Sequence, residues 1–379
     1  MQPHTPIFIN RPDVASRQLL TLGATLEIAI DTEGASFHRY LDRIYLLQLS
    51  TREHSAIIDP LAVPADALGP LGGLLEDPRV EVVLHDADYD LRLLHSDYTW
   101  NVRNIFDTRI AAQLLGIKAF GLAALLERYF GVKLDKKHQR ADWSMRPLPA
   151  DMLDYAAQDT LYLLDLRDRM RDDLEKKQRL AWAREEFARL EGTRWPEDDS
   201  ANAFLRLKGA RDLSRRELAV LRELVPWRAA IAEELDRATF RVIGNEQLLD
   251  IARSQPTTRE ALGRIKGISR GLLERRADEL LNAVRRAQGV PEADLPKFPK
   301  AVRWDRDPDF DARVNALRTA RDEVAQKLDL DPGVLASRER LEAVARKHPT
   351  SREELEGVEE LRGWQKQVLA EGFLKALRK

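Results

Sequence analysis

Residues 26–36 read LEIAIDTEGAS, a short apolar run that ends in two acids and a glycine. The apolar run predicts a buried β-strand bounded by a turn. Asp31 and Glu33 follow it, and residues i and i+2 of an extended segment point to the same side. Two carboxylates held this close repel each other unless a cation lies between them. Hard dications such as Mg²⁺ prefer carboxylate oxygens, so the stretch predicts either a metal site or a strand end whose acids face solvent.

The composition excludes several classes of site. The 379 residues include no cysteine, which rules out disulfides, thiolate nucleophiles and Cys-based zinc sites. The length predicts two or three domains, and the 44% of hydrophobic residues is enough for packed cores. The N-terminus lacks an apolar signal core, and no run approaches membrane-spanning length. We therefore expect a cytoplasmic protein with no membrane partner, and favour a monomer.

Charge is distributed unevenly along the chain. Residues 1–170 carry 18 Lys and Arg against 24 Asp and Glu, whereas the remainder carries 43 against 39. An acidic half followed by a mildly basic half is consistent with a carboxylate metal site joined to a polyanion-binding module. Uneven surface charge without a function is the alternative.

The first 170 residues alternate between predicted strands and helices. Apolar runs at residues 44–49, 55–59 and 80–84 predict strands, and residues 64–76 predict a helix. Strands followed by strands alternating with helices predict an α/β domain with a mixed sheet.

A second group of acids follows the predicted strand at residues 80–84. Asp86, Asp88 and Asp90 place three acids in five residues at the start of a predicted helix. Acids are common at helix N-termini because of the helix dipole, but three exceed what capping needs. By contrast, Asp107 directly precedes another predicted helix, and we expect it to be the N-cap of that helix.

The third signal lies on a helix predicted to start near Pro149 and to continue through Leu164. Tyr155 and Asp159 are four residues apart, so they share one face of this helix. A half-buried Asp needs a partner, because an unpaired buried carboxylate is costly. The pair is therefore either part of a site or a simple Tyr–Asp hydrogen bond on a surface helix.

Together, these three signals resemble the motifs of the DEDD superfamily of 3′–5′ exonucleases, in the subclass with Tyr in the third motif. The motifs are Asp31-Thr32-Glu33, His85 through Asp90, and Tyr155 through Asp159. The run DWSMRPL at residues 142–148, followed closely by Tyr-Ala-Ala, resembles the ribonuclease D family specifically. Met152 stands where that family usually has Gln, a departure that concerns substrate contacts and no metal ligand.

The resemblance implies an α/β ribonuclease H-like exonuclease domain over residues 1–190, with a mixed sheet flanked by helices. It also implies two divalent ions, Mg²⁺ or Mn²⁺, a number able to stabilise both the attacking and the leaving oxygen of a phosphodiester. By this resemblance, Asp31 bridges the ions and Tyr155 orients the attacking water and helps to remove its proton. The implied metal ligands are four carboxylates: Asp31, Glu33, Asp90 and Asp159.

Further residues of this domain are candidates for substrate contacts. His85 either contacts the scissile region or has a structural role at a helix start. Trp143 and Arg146 precede the third motif and could meet the phosphate backbone or stack on a base. A core position for Trp143 is the alternative.

The C-terminal half contains an internal repeat with an offset of 93 residues. The pattern Ala-Arg-x-x-Pro-Thr-x-Arg-Glu-x-Leu occurs at residues 252–262 and 345–355, with seven identities in eleven positions. A period this long indicates duplicated domains rather than a solenoid. Both copies resemble the HRDC domain, and a tandem pair is the arrangement of the ribonuclease D family. We predict two all-α HRDC helical bundles, at residues 205–289 and 308–379.

The two copies differ in charge at one turn. In the first copy, residues 266–271 (KGISRG) resemble a helix-hairpin-helix turn, whose free N–H groups and cations suit phosphates. Lys266 and Arg270 are therefore candidate RNA-binding residues. The second copy has EGVEE at residues 356–360. We predict that the first copy binds RNA and the second is architectural, with protein–protein packing as the alternative for both.

These features predict a metal-dependent 3′–5′ exoribonuclease that releases nucleoside 5′-monophosphates. The predicted substrates are tRNA precursors or other structured RNAs with 3′ extensions. A DNA exonuclease is one alternative, because the same four acids serve proofreading domains. A nucleic-acid-binding scaffold with a decayed catalytic centre is the other, and the presence of all four acids with Tyr155 argues against it.

Overall fold

The computed structural model describes residues 6–22, 25–135, 137–196, 199–299 and 307–378. Six strands form one mixed sheet in the order β1-β4-β3-β2-β5-β6. Their bounds are β1 Ile7–Ile9, β2 Glu27–Glu33, β3 Leu46–Ser50, β4 Ser55–Ile58, β5 Glu81–Leu84 and β6 Ile105–Asp107. Within these described ranges, no helix is both long and apolar enough to cross a membrane.

Strand β2 lies inside the sheet and carries the acids of the first motif. It runs antiparallel to β3 and parallel to β5, so the predicted mixed sheet is confirmed. The strand extends three residues beyond the predicted apolar run, because the backbone stays paired with β3 up to Glu33 opposite Leu46. Asp31 and Glu33 are therefore the last alternate residues of a paired strand.

Helices cover the sheet and form most of the remaining regular structure of the described chain. In the first part they are α1 Pro12–Thr21, α2 Gly69–Glu76, α3 Asp88–Tyr98, α4 Thr108–Leu114, α5 Leu122–Phe130, α6 Ala150–Leu161, α7 Leu163–Lys176 and α8 Leu180–Leu190. The helix predicted to run through Leu164 ends instead at Leu161, and a new helix starts at Leu163. Strands β1 and β6 were not predicted, because three-residue strands give little periodicity. Helices α1 and α5 were not predicted either.

The C-terminal half is helical, as predicted. Its helices are α9 Arg215–Glu234, α10 Thr239–Val242, α11 Asn245–Ser254, α12 Arg259–Gly263, α13 Arg270–Gln288, α14 Phe310–Leu328, α15 Pro332–Leu335, α16 Arg338–Lys347, α17 Arg352–Glu356 and α18 Gly363–Leu377. The two repeat copies correspond to α9–α13 and α14–α18.

The chain divides into two compact units that do not follow the order of the sequence. The first unit contains residues 1–34, 44–195 and 304–379, and the second contains residues 35–43 and 196–303. Helices α14–α18 thus belong to the same unit as the sheet. Apolar side chains of these helices share one hydrophobic cluster with α4, α5, α7 and α8, and Trp182 stacks on Trp364 with ring centroids 4.9 Å apart. Burial of such apolar surface fixes the second copy to the sheet-containing part.

A buried ion network holds α7 against β2 and β5. Arg167 is only 3% exposed and pairs with Glu27 of β2 and Glu81 of β5. Arg52 also pairs with Glu27. Burial alone would raise the pKa of Glu27, but hydrogen bonds from Arg52 and Arg167 lower it below its ordinary value. Because a buried charge is tolerated only with partners, the network fixes the helix that follows α6 to the strand that carries the first motif.

Candidate active site

Three carboxylates converge where β2 ends beneath α6. Asp31, Glu33 and Asp159 each offer an oxygen, and these oxygens lie within 4.8 Å of one another. Strand alternation places Asp31 and Glu33 on one face of the sheet. Helix α6 covers this face, held in part by a 2.8 Å hydrogen bond between the hydroxyls of Ser50 and Thr160. The predicted convergence of the first and third motifs is therefore present.

The negative charges of these carboxylates repel one another, and this repulsion raises their pKa values. Burial raises the pKa of Asp31 well above its usual range, and the charges of Asp90, Asp159 and Glu33 raise it further. Burial and the charges of Asp159 and Asp90 likewise raise the pKa of Glu33. The pKa of Asp159 rises to about 7, first through burial and then through the charge of Asp90. Such a cluster is ready to accept a cation that would offset the repulsion.

The fourth predicted ligand, Asp90, occupies a different position. It lies in the first turn of α3, is 6% exposed, and is not one of the three grouped carboxylates. Its Oδ1 accepts hydrogen bonds from the backbone N–H of Thr32, at 3.0 Å, and from the Thr32 hydroxyl. Burial raises the pKa of Asp90 to about 7 even though these bonds lower it. Asp90 thus stands beside the group, tied to the residue between Asp31 and Glu33.

The donor set fits a hard divalent cation. Oxygen ligands from three carboxylates suit Mg²⁺ or Mn²⁺, and the partial exposure of all three residues leaves room for the waters that such ions retain. A further polar group lies close by in the sheet. Gln48 of β3 stands directly opposite Asp31, is fully buried, and both polar atoms of its amide lack a hydrogen-bond partner among the described residues. An orphaned amide beside mutually repelling acids is an observation that fits a site completed by bound ions and their waters.

Tyr155 lies on α6 one turn before Asp159. Its ring packs near His138 and Trp143, with centroid distances of 5.8 Å and 6.1 Å. Burial raises the pKa of Tyr155 above its usual range, and the charges of Asp159 and Glu33 raise it further. The phenol is therefore protonated at neutral pH, and its hydroxyl can donate as well as accept a hydrogen bond.

Asp107 and His85 organise the chain beneath α3. Asp107 caps α4 by accepting from the N–H groups of Arg109 and Ile110, which confirms the predicted N-cap. It also accepts from the N–H of Ala87, at 2.8 Å, and so anchors the turn that leads into α3. His85 Nδ1 lies 2.9 Å from the Thr108 hydroxyl. Burial lowers the pKa of His85 to about 4, so its ring is neutral and cannot act as a cation toward phosphate; a contact with substrate remains a prediction.

Trp143 and Arg146 make contacts within the protein that favour structural roles for both. Trp143 is 2% exposed and packs in the interior, as its alternative interpretation expects. Arg146 donates through Nε and an NH group to both oxygens of the buried Asp59, at 2.6 Å and 2.7 Å. It also donates to three backbone carbonyls, those of Tyr45, Trp143 and Met145. These bonds use the full donor capacity of the guanidinium, so Arg146 positions the loop before α6 rather than a phosphate.

The remaining predicted contacts lie in the second compact unit. Lys266 and Arg270 flank the turn between α12 and α13, both are exposed, and Gly267 there has a φ of 89°. Arg270 pairs with Glu274 one turn later on α13. The predicted turn is thus present in the first copy, and RNA binding by it stays a prediction.

Three residues around the site were not predicted: Thr32, Gln48 and His138. The sequence held a partial signal for Gln48, a polar residue inside the apolar run at 44–49. Thr32 and His138 act through contacts with distant residues, which local spacing does not show. Met152, noted as a departure from the family pattern, is 2% exposed and therefore packs in the core.

Known proteins resemble this chain over most of its length. A family model described as 3′-5′ exonuclease matches residues 8–175, and a model of the HRDC domain matches residues 217–284 and 310–377. Ribonuclease D of Granulibacter bethesdensis is 33% identical over 98% of this chain and 92% of its own length. Ribonuclease D of Escherichia coli is 30% identical over 93% of this chain and 92% of its own.

Solved structures give the same result. The crystal structure of Escherichia coli RNase D, described as an exoribonuclease involved in structured RNA processing, superposes with a TM-score of 0.77 at 28% identity and covers 99% of both chains. The catalytic core of RRP6 from Trypanosoma brucei superposes with a TM-score of 0.67 at 31% identity, over 75% of this chain and 80% of that one.

Proposed function

Since the chain belongs to the ribonuclease D family of 3′–5′ exoribonucleases, we propose that it shortens structured RNAs from the 3′ end by two-metal-ion hydrolysis. The proposed substrates are tRNA precursors and other structured RNAs with 3′ extensions, and the products are nucleoside 5′-monophosphates. The observation that carries the proposal is the convergence of Asp31, Glu33 and Asp159, with Tyr155 one helical turn from Asp159.

The carboxylates would hold the cations that the reaction needs. Asp31, Glu33 and Asp159 would hold one ion, and Asp31 would also serve the second ion together with Asp90, directly or through water. Bound divalent ions would stabilise the negative charge that develops on the phosphate oxygens and would lower the pKa of a coordinated water. A family domain of this kind uses divalent metals; Mg²⁺ or Mn²⁺ is the proposed identity, because both prefer carboxylate oxygens.

The chain's own residues would position the reactants and assist the proton transfer. Tyr155, one helical turn from Asp159, would orient the attacking water and help to remove its proton. Thr32 holds Asp90 in place, and Asp107 fixes the start of α3 on which Asp90 lies. The amide of Gln48, which stands opposite Asp31, would hydrogen-bond waters of the bound ions.

Two labelled RNAs test the direction and the products. With Mg²⁺, a 3′-end-labelled single strand should release labelled mononucleotide at once, whereas a 5′-labelled strand should shorten progressively. DNA of the same sequence should be degraded more slowly. Early release of the 5′ label, or oligonucleotide products from internal cleavage, would contradict the proposal.

Two substitutions on α6 test the residues. Asp159→Asn should lower the rate of mononucleotide release at least about 100-fold, because one metal ligand loses its charge. The matched control is Asp154→Asn, an exposed acid on the same helix outside the carboxylate group. The control should retain the wild-type rate, and equal rates in both variants would contradict the assignment.

A further inference from the structure

The segment at residues 35–43 belongs to the second compact unit, although it begins only two residues after Glu33. Arg241 of α10 donates through Nε to the backbone carbonyl of Phe37, at 2.5 Å. Arg39 pairs with Asp236 at 2.9 Å, in the turn between α9 and α10. Charge-assisted hydrogen bonds of this kind hold the segment on the first HRDC copy.

Contact between Phe37 and Phe240 forms an exposed aromatic pair on this unit. The rings meet edge to face, with centroids 6.0 Å apart and an interplanar angle of 75°. Their exposed fractions are 50% and 51%, so half of each ring remains open to solvent. Large aromatic side chains left open together on a surface mark interaction sites, and they are the side chains on which single-stranded bases stack. We refer to this pair as the aromatic platform.

A cationic groove adjoins the platform through Arg241. The groove has a volume of about 340 Å³, and none of the described residues that line it is acidic. Its apolar floor includes Leu235 and Leu272. Four of the lining residues are arginines, Arg237, Arg241, Arg275 and Arg276, and we refer to it as the arginine groove.

The four arginines have different tasks. Arg241 holds Phe37, and Arg276 pairs with Glu234 and Glu279. Arg237 and Arg275, in contrast, are exposed, and their side chains make no ion pair or hydrogen bond with described residues. Two open guanidinium groups at an apolar floor match a polyanion that also carries flat apolar groups.

The arginine groove also reaches the turn between α12 and α13. Ser269 lines the groove and caps α13 by accepting from the N–H of Leu272. Lys266 and Arg270 lie within three residues of Ser269, so the turn predicted to meet phosphates continues the same surface. Aromatic platform, arginine groove and turn thus form one surface of the second unit.

We propose that this surface binds single-stranded RNA, with bases stacked on Phe37 and Phe240 and phosphates held by Arg237 and Arg275. The inference rests on the proposed function, because it names the substrate contact of a ribonuclease. An acidic protein segment is the competing occupant, and RNA fits better because every nucleotide carries both a flat base for the rings and a phosphate for the cations. The segment at residues 35–43, which follows β2 in the chain, therefore supplies one of the two rings of the aromatic platform.

Binding of full-length protein to RNA, measured by fluorescence anisotropy in EDTA, tests the proposal without hydrolysis. The probe is a labelled oligouridylate of about 20 nucleotides, long enough to cover a groove and a stacking site. The double variant Arg237→Glu/Arg275→Glu should weaken binding at least about tenfold and reduce the slope of log affinity against log salt by about 2. A matched control, Lys208→Glu/Arg285→Glu, reverses two exposed cations of the same unit that do not line the groove.

The aromatic platform is tested by a different signature. Phe37→Ala/Phe240→Ala should weaken binding about tenfold with an unchanged salt slope, because stacking carries no charge. Phe240→Trp should retain affinity. The Arg237→Glu/Arg275→Glu variant, which changes only exposed side chains, keeps the test decisive if the Phe variant loses its fold.

Two outcomes overturn the inference. The first is unchanged RNA affinity in the Arg237→Glu/Arg275→Glu variant, which would leave an acidic protein as the occupant. The second is an equal loss of affinity in the Lys208→Glu/Arg285→Glu control, which would show a general charge effect. Mononucleotide release from a short RNA separates this inference from the proposed function. If the wild-type protein hydrolyses short RNA but the groove variants bind RNA normally, only this inference is wrong. If the wild-type protein does not hydrolyse short RNA, the proposed function is wrong.

Discussion

Thr32 donates both its backbone N–H and its hydroxyl to one oxygen of Asp90, which lies 58 residues further along the chain. This pair joins the strand that carries Asp31 and Glu33 to the helix that carries Asp90. The second motif is thus positioned by the middle residue of the first. The two motifs act as one structural element even though no spacing in the sequence connects them.

Thr32→Val should lower the rate of mononucleotide release about tenfold. Valine keeps the shape and the backbone N–H but removes the hydroxyl bond to a charged group, whose loss is large enough for this effect. Single-turnover kinetics on labelled RNA would measure it. Thr319→Val makes the same chemical change at an exposed position of α14 and should leave the rate unaltered; a full-rate Thr32→Val enzyme would show that this bond does not position Asp90.

Tyr155→Phe should slow single-turnover hydrolysis about 100-fold, because a misplaced attacking water costs roughly this much. Its affinity for Mn²⁺ should stay close to wild type, since the phenol is not one of the grouped carboxylates. Calorimetric titration with Mn²⁺ beside the kinetic measurement separates the two roles. A loss of Mn²⁺ affinity would instead make Tyr155 a structural partner of Asp159.

Stability without metal should depend on pH in a defined direction. In the folded protein the pKa of both Asp90 and Asp159 is about 7, against 3.8 for an ordinary Asp. Between these values the folded state binds more protons than the unfolded chain, so the free energy of unfolding falls as pH rises from about 4 to about 7.

Divalent ions compete with these protons. The rise in melting temperature on adding Mn²⁺ should therefore be larger at about pH 8 than at about pH 6, as measured by thermal unfolding. Asp159→Asn should reduce this pH dependence. An equal rise at both pH values in the wild-type protein would contradict the raised pKa values.

Gly116→Ala should destabilise the contact between α4 and the second HRDC copy. Gly116 has a φ of 81°, and an added Cβ would overlap the backbone carbonyl of Asp329. Strain of this kind comes from both the left-handed backbone and the lost space. Urea unfolding would measure the loss. Gly121→Ala is the matched control, because nothing lies within 4 Å of its added Cβ; equal stability of the two variants would rule out the close approach.

Arg167→Met should lower the free energy of unfolding by about 1–3 kcal/mol, because the buried guanidinium no longer pairs with Glu27 and Glu81, although these keep Arg52 and Arg171 as partners. Equilibrium unfolding in urea measures this loss. Arg338→Met removes an exposed pair with Glu342 and should change stability little. A comparable change in both variants would mean that the buried network is not important for the sheet.

The sequence predicted the parts of the site that depend on local spacing. Each of these parts lies within one strand or at one helix. They are the alternation of Asp31 and Glu33, the helical pairing of Tyr155 with Asp159, and the cap at Asp107. The prediction of the metal ligands and of the direction of digestion rested on the family resemblance.

Other features depend on contacts that spacing does not show. An aromatic residue before a helix is equally compatible with stacking on a base and with a core position, and only packing shows that Trp143 is buried. The sequence position of Arg146 is likewise compatible with a phosphate contact, and only the structure shows that its guanidinium bonds to Asp59 and three carbonyls. The apolar faces of α14–α18 were visible in the repeat, but not that they share a core with the exonuclease helices.

Binding of Mn²⁺ by full-length protein, measured by calorimetry, tests the central claim most directly because it does not depend on activity. Wild-type protein and the Asp154→Asn variant should bind Mn²⁺ with equal affinity. Asp31→Asn should weaken Mn²⁺ binding by about 10-fold to 100-fold. Equal affinity in Asp31→Asn and wild type would contradict a metal site built on Asp31, Glu33 and Asp159.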